Sequence, residues 1–229
     1  MKRLLKRTLL PRGASLRLLR LGLARGVSMN LNLQSQFQRY LGLDERELVR
    51  YIKRCLPSCK AMVDVGANDG YYTLIFLKSP AEKVIACEPG EVSQELLANA
   101  SANGYSPGSR LHLEQRPIGG DAGQRSLHDL VEDLPVPIFI KMDIDGGEVE
   151  ALKSAEGMAS LNQTFWIVET HSVELERGCI EWFEQHGFSI EVVGHAWWRK
   201  WIPALRPLEH NRWLFVRPLT LQHGTEIDC

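Results

Sequence analysis

The run Ala61-Met62-Val63-Asp64-Val65, followed by Gly66-Ala67-Asn68-Asp69-Gly70, restricts the fold more than any other feature of the chain. A short run of β-forming residues ends at a glycine, and a helical pattern, Tyr71–Lys78, starts directly after a second glycine. Strand, glycine turn and helix are the opening of a βαβ unit, with the turn at the carboxyl end of the strand. The alternation then continues. Lys83–Glu88 reads as a strand and Ser93–Asn103 as a helix, closed by Gly104, Pro107 and Gly108. Leu111–Pro117 is a third strand, Leu127–Leu134 a short helix, Pro137–Ile144 an almost continuous apolar strand and Glu148–Ala155 a helix. Phe165–Thr170, the helix Glu174–His186, and the strands Phe188–Val193 and Trp213–Arg217 complete the pattern. Alternating strands and helices predict a parallel, doubly wound α/β sheet. Strands this apolar fit a sheet covered on both faces. The last two strands have no helix between them and are expected to pair antiparallel at one edge.

Charge divides the chain unevenly. Residues 1–43 carry nine Lys or Arg and no Asp or Glu, whereas the other 186 residues carry 18 basic and 28 acidic side chains. We expect residues 1–43 to form a basic arm, amphipathic or disordered, with two short helical pieces separated by Pro11 and Gly13. Residues 44–218 form the domain and 219–229 a tail. Leucines interleaved with Lys and Arg over residues 1–25 suit peripheral contact with an anionic membrane surface. The arm also has the acid-free look of a transit peptide. Asp44 and Glu47 have the spacing of a capping box at the start of a helix through Leu48, Ile52 and Leu56. Cys55, Cys59, Cys87, Cys179 and Cys229 lack zinc-finger spacing, and reduced thiols in the cytoplasm are expected. No segment has the length and apolarity of a membrane span.

In an open α/β sheet the ligand binds outside the carboxyl ends of the strands, near the switch in strand order. Gly66, Ala67 and Gly70 let the backbone approach a ligand there. Asn68 occupies the second glycine position of the dinucleotide fingerprint, so a pyrophosphate lacks its usual close approach. The looser, acidic loop suits S-adenosylmethionine, which has no phosphate. Asp64 is placed to meet an ammonium, and Tyr71 opens the helix after the loop. Glu88, 22 residues after Gly66, can bond ribose hydroxyls. Ile118, within Pro117–Asp121, is a candidate wall for adenine. A nicotinamide-dependent oxidoreductase and a non-catalytic binding protein on the same fold are the rival readings.

Lys141, Asp143 and Asp145 interrupt the fourth strand at its carboxyl end, where charge needs a partner or water. Glu148 begins the next helix, where its charge suits the dipole. In Asp64-Val65-Gly66-Ala67-Asn68-Asp69-Gly70-Tyr71-Tyr72-Thr73, Glu88-Pro89 and Lys141-Met142-Asp143-Ile144-Asp145-Gly146-Gly147-Glu148, the chain resembles the FkbM-type methyltransferase family over about Leu41 to Arg217. It departs at Asp145, where glutamate is usual. The resemblance implies a Rossmann-like class I methyltransferase fold, S-adenosylmethionine as cofactor, and O-methylation of a sugar, glycolipid or other small hydroxylated acceptor.

Methyl transfer is chiefly a matter of aligning donor and acceptor, and a hydroxyl acceptor gains from a base. His171, next to Glu169 at the end of the fifth strand, is the first candidate. Asp143 is the second, with cofactor contact as its rival role. Asp143 and Glu169 could hold Mg²⁺, but two carboxylates are a thin ligand set, and no metal is expected. The loop His195–Pro203, with Trp197, Trp198 and Trp201, is expected to meet the acceptor. Arg199, Lys200 and Arg206 are candidates for an anionic group. The acidic body argues against a nucleic-acid partner.

Overall fold

The structure, a computed structural model, describes residues 10–201 and 210–219. An antiparallel hairpin comes first, β1 (Ala14–Leu18) paired with β2 (Ser28–Asn32). Helix α1 (Leu33–Tyr40), a 3-10 turn over Arg46–Leu48 and α2 (Val49–Cys55) follow. The alternating part comprises β3 (Ala61–Val65), α3 (Tyr71–Leu77), β4 (Lys83–Cys87), α4 (Ser93–Ala102), β5 (Leu111–Glu114), α5 (Leu127–Val131), β6 (Ile138–Met142), α6 (Glu148–Lys153), β7 (Thr164–Thr170) and α7 (Val173–Gln185). The last strands are β8 (Phe188–Val193) and β9 (Arg212–Pro218).

The large sheet has seven strands in the order β5-β4-β3-β6-β7-β9-β8. β3 pairs parallel with both β4 and β6, so the order reverses beside β3. β9 runs antiparallel between β7 and β8, as the missing helix before it predicts. Alternate residues of each strand face opposite sides. Met62, Val84, Phe139 and Ile167 pack with α2 and α3 on one side. Val63, Ile85, Ile140 and Val168 pack with α5, α6 and α7 on the other. Every residue of β3, β6 and β7 is buried, which explains their largely apolar character.

The N-terminal region departs from expectation. Residues 14–32 make a strand–turn–strand hairpin rather than a helical piece. Leu19, Val27, Met29 and Leu31 are buried in the same core cluster as Val84 and Phe139. Helix α4 supplies the reason. Asn99 Oδ1 and Asn103 Oδ1 accept from the N–H groups of Asn30 and Ser28, both at 2.8 Å. These contacts come from some seventy residues away and satisfy a strand that local leucine spacing cannot specify. Residues 14–43 therefore pack as part of the domain. Leu16, Leu18 and Leu21 remain exposed on the hairpin, beside Arg20. Residues 1–9 and the tail from residue 220 lie outside the described residues. Among the described residues no helix is long and apolar enough to cross a membrane.

The predicted capping box does not form either. Glu45 stands in the left-handed region at φ 40° and makes no side-chain cap bond. Asp44 accepts from Arg39 Nε at 2.9 Å. Glu47 accepts from Arg199 Nε at 2.8 Å and Nη2 at 2.7 Å, and from the Ala196 N–H at 3.1 Å. Buried guanidinium partners win over the local cap because charge-assisted bonds are the stronger ones. Both side chains of the Arg199–Glu47 pair are almost fully buried, at 7% and 5% exposure. Glu47→Ala leaves a buried guanidinium uncompensated and should cost about 3–5 kcal/mol in chemical denaturation. A loss under 1 kcal/mol would show that the pair does not anchor the 195–201 loop.

Candidate functional site

Two clefts open at the carboxyl ends of β3, β4, β6 and β7, on either side of Asn68 and Asp143, which line both. The first, about 510 Å³, lies between the β3–α3 loop, the end of β4 and the Arg116–Ile118 segment. Gly66 makes it possible. It sits at φ +81°, and a Cβ there would lie 1.9 Å from the Asp143 carbonyl oxygen. The loop thus crosses against the end of β6 where no side chain fits. Asn68, also at positive φ, donates its N–H to Glu88 Oε2 at 2.6 Å. That bond fixes the acid of β4 at the cleft mouth. Burial raises the Glu88 pKa, and the Asn68 N–H partly offsets it. Pro89, Val92 and Ile118 supply an apolar wall opposite, with Gln124 beside them.

Of the residues expected around the cofactor, Gly66, Asn68, Glu88, Ile118 and Asp143 line this cleft. Asp64, Ala67, Gly70 and Tyr71 do not; they shape the loop from beneath. Asp64 is 1% exposed and accepts from Thr73 Oγ1 at 2.6 Å. It sits too deep for the direct contact its position suggests. Gly70 turns the chain into α3 at φ +85°, against Leu96. Tyr71 is buried beneath Arg39, whose guanidinium carbon is 4.8 Å from the ring centroid.

The second cleft is a chamber of about 290 Å³. His171, Asp143 and Glu169, the three catalytic candidates, meet in its wall. His171 Nδ1–H donates to Glu148 Oε1 at 2.8 Å, leaving Nε2 towards Asp143 Oδ1 at 3.6 Å and Glu169 Oε1 at 3.8 Å. The bond to Glu148 raises the His171 pKa against the effect of burial. Glu169 accepts from Asn211 Nδ2 at 2.7 Å and Trp213 Nε1 at 3.0 Å. Its pKa is raised by burial and by Asp143. Beneath them lies the buried ammonium of Lys141, 3.2 Å from Asp143 Oδ2 and 4.5 Å from the Tyr72 ring centroid. Burial works to lower the Lys141 pKa, but Asp143, Glu45 and Glu169 outweigh it and raise it.

Ser35, Gln36 and Arg39, from the segment expected to be an arm outside the domain, also line the chamber. Arg39 of α1 donates to Asp69 Oδ2 at 2.6 Å as well as to Asp44. Glu45 accepts from Tyr72 Oη at 2.5 Å, and burial lifts its pKa to about 8. A non-glycine residue at positive φ carries strain, and here it puts a carboxyl into the wall. Asn211 and Trp213 also line the chamber. No local pattern marks Arg39, Glu45 or Asn211, because their partners are distant in sequence; the lone Arg39 beyond the leucine-rich stretch is the nearest thing to a signal. Arg199 lines the chamber, but its guanidinium is held by Glu47 and by the Leu43 carbonyl, which corrects its expected role in binding an anion. Trp197 and Trp201 stand 77% and 72% exposed, and Trp198 packs under Arg199. Ile202, Pro203 and Arg206 lie outside the described residues, and nothing is described of the Lys200 side chain. Cys55, Cys59, Cys87 and Cys179 are buried.

No family model matches the sequence, and no curated protein matches it. Solved structures do match in shape. FkbM of Methylobacillus flagellatus KT is 23% identical, with 69% of this chain and 43% of that one covered and a TM-score of 0.53. Trm5b of Pyrococcus abyssi is 14% identical over 90% of this chain and 56% of that one, with a TM-score of 0.52. An rRNA methylase of Streptococcus thermophilus is 13% identical over 77% and 98%, also at 0.52. The fold is that of the class I methyltransferases. The chain spans about half the length of the first two of these structures.

The fold explains why a carboxyl lies under the loop, and Asp64 offers a test of its burial. Burial raises its pKa from an ordinary value near 3.8 to about 6, against the pull of Lys141 and Thr73. The folded protein therefore holds a proton that the unfolded chain releases between pH 4 and 6. Stability from this group is complete below pH 4 and falls as pH rises through 6. Asp64→Asn keeps an acceptor for Thr73 and should gain on the parent protein in thermal unfolding as pH rises from 4 to 7. An unchanged difference across that range would refute the assignment.

Proposed function

We propose that the chain is an S-adenosylmethionine-dependent methyltransferase of the FkbM type, acting on a hydroxyl of a small, neutral, hydroxylated acceptor such as a sugar or glycolipid. One observation carries the reading: the two clefts adjoin at Asn68 and Asp143, at the switch in strand order. A donor in one and an acceptor in the other would meet there. The larger cleft fits the cofactor's chemistry, with a carboxylate held at its mouth, an apolar wall opposite, and a glycine where a Cβ would strike the backbone. Glu88 would receive the ribose hydroxyls, Ile118 the adenine, and the Gly66–Asn68 backbone the amino-acid end. When bound, S-adenosylmethionine supplies a methyl group on a positively charged sulfur.

The chain's own residues position the acceptor. His171, Asp143 and Glu169 form the polar face that orients its hydroxyl and draws off the proton. Glu148 fixes the ring of His171. Asp44, Glu45, Asp69, Asp143 and Glu169 face two arginines, Arg39 and Arg199, around the chamber. That surplus of carboxylates disfavours a phosphate or carboxylate acceptor inside it. The fold is shared with an rRNA methylase, so the expectation that excludes nucleic acid gains no support from the comparisons. A lipid-linked acceptor is favoured by Leu16, Leu18 and Leu21, 56%, 48% and 54% exposed on the basic hairpin.

Calorimetric titration should show binding of S-adenosylmethionine and none of NAD(P)H. Glu88→Ala should weaken that binding at least tenfold, about 1.4 kcal/mol, with little change in unfolding temperature. Tighter binding of NAD(P)H would replace this reading with the oxidoreductase. Labelled cofactor incubated with fractionated extract, including an RNA fraction and a glycolipid fraction, would then identify the acceptor. Cofactor binding with no methylated product in any fraction would favour a non-catalytic binding protein.

A further inference from the structure

We propose that Asp143, Glu169 and His171 form a divalent-cation site in the chamber wall, through which an acceptor bearing two adjacent oxygen donors is held. The acceptor part rests on the methyl-transfer reading; the cation site does not.

The geometry is that of a ligand set. One donor atom from each of the three residues lies within 4.8 Å of the others. His171 Nε2 is 3.6 Å from Asp143 Oδ1 and 3.8 Å from Glu169 Oε1. Those separations are too long for hydrogen bonds. Two atoms each roughly 2.1 Å from a shared ion cannot be more than about 4.2 Å apart, and both separations fall inside that bound. Asp145 Oδ1, at 3.8 Å from the same nitrogen, brings a further carboxylate to the rim.

The supporting contacts have the form such ligands need. A metal-binding imidazole characteristically donates its other N–H to a carboxylate, and His171 Nδ1–H donates to Glu148, which is fully buried. That bond turns the Nε2 lone pair to the chamber. Glu169 is oriented by Asn211 and Trp213, one on each oxygen. Lys141 takes Asp143 Oδ2, leaving Oδ1 as the oxygen turned to the imidazole.

An independent observation comes from Asn211. It is 8% exposed and lines the chamber, and among the described residues its buried Oδ1 has no hydrogen-bond partner. The amide cannot simply turn over, because Nδ2 is held by Glu169. A buried carbonyl oxygen with nothing to accept is costly unless a cation or a donor completes it. Imidazole, carboxylates and an amide oxygen together suit a hard or borderline ion such as Mn²⁺ or Mg²⁺. Such an ion keeps open positions for water, and two adjacent hydroxyls can replace two waters.

The test uses the full chain, stripped with EDTA and titrated with Mn²⁺ by calorimetry. One ion per chain should bind. His171→Ala and Glu169→Gln should each lose at least tenfold in affinity, while Glu150→Gln, on an exposed part of α6, should match the parent. Retained binding of S-adenosylmethionine reports that a variant is folded. Where a variant does not fold, Mn²⁺ should broaden the His171 ring resonances of the parent protein. Absence of saturable Mn²⁺, Mg²⁺ and Zn²⁺ binding, variants that bind like the parent, or an unbroadened His171 ring would each overturn the site. Methyl transfer persisting in EDTA without metal uptake removes the cation and leaves the methyltransferase reading intact. Mn²⁺ uptake by a chain that does not bind S-adenosylmethionine does the reverse. If Mn²⁺ binds and an acceptor with adjacent hydroxyls gains no affinity from it, the acceptor part falls alone.

Discussion

A lysine in the middle strand of a buried sheet is the constraint on which much of this structure rests. Lys141 lies in β6, between β3 and β7, at 2% exposure. An ammonium removed from water demands compensation, and breaking such an arrangement by deleting one partner is expensive. Asp143 answers with an ion pair, and the Tyr72 ring lies near the charge. Asp64, Glu45 and Glu169 add their fields. The carboxylates gathered around this ammonium are largely those that line the chamber. One buried charge thus favours the ionised form of several acids at the place where chemistry is expected, against the burial that raises their pKa values.

Two backbone features turn that charged core into clefts. Gly66 lets the loop cross against the Asp143 carbonyl. Asn68 takes a left-handed turn and fastens Glu88 from above. The side of Asp143 facing the loop then borders one cleft and the other side borders the chamber. A larger residue at position 66 would push the two strand ends apart and merge or close both spaces. The N-terminal segment completes the enclosure. Hairpin β1–β2 is seated on α4 by two asparagines, and α1 follows it directly, bringing Arg39 over Asp69. Chamber and hairpin are therefore coupled mechanically through a short stretch of chain.

The site is polar to a degree that its burial makes unusual. Glu45 is held at a pKa of about 8, and Asp64 at about 6, both chiefly by withdrawal from water. Such groups change protonation near neutrality and are common where function requires it. Arg199 illustrates the opposite case. It is placed in the chamber wall, yet two bonds to Glu47 hold it as a brace for the 195–201 loop. Position in a cleft does not make a side chain available; its partners decide that.

Every strand and α-helix from α2 to β9 was legible in the sequence, because local signals agreed there. Periodicity, glycine and proline breaks, and largely apolar strands all follow from how residues one to four apart share a face or a turn. The same locality made Gly66, Asn68, Glu88, Asp143, Glu169 and His171 visible, since each stands at a strand end or in the loop after one. Tertiary structure alone decided the hairpin, the chamber roof and the sites of the buried pairs. Asn99 with Asn30, Arg39 with Asp69, and Arg199 with Glu47 are 69, 30 and 152 residues apart. No pattern along the chain records which polar group will meet which once the sheet has closed. Asp44 and Glu47 show the same limit from the other side. Their spacing is right for a local cap, but stronger charged partners, brought close only by folding, took both carboxylates.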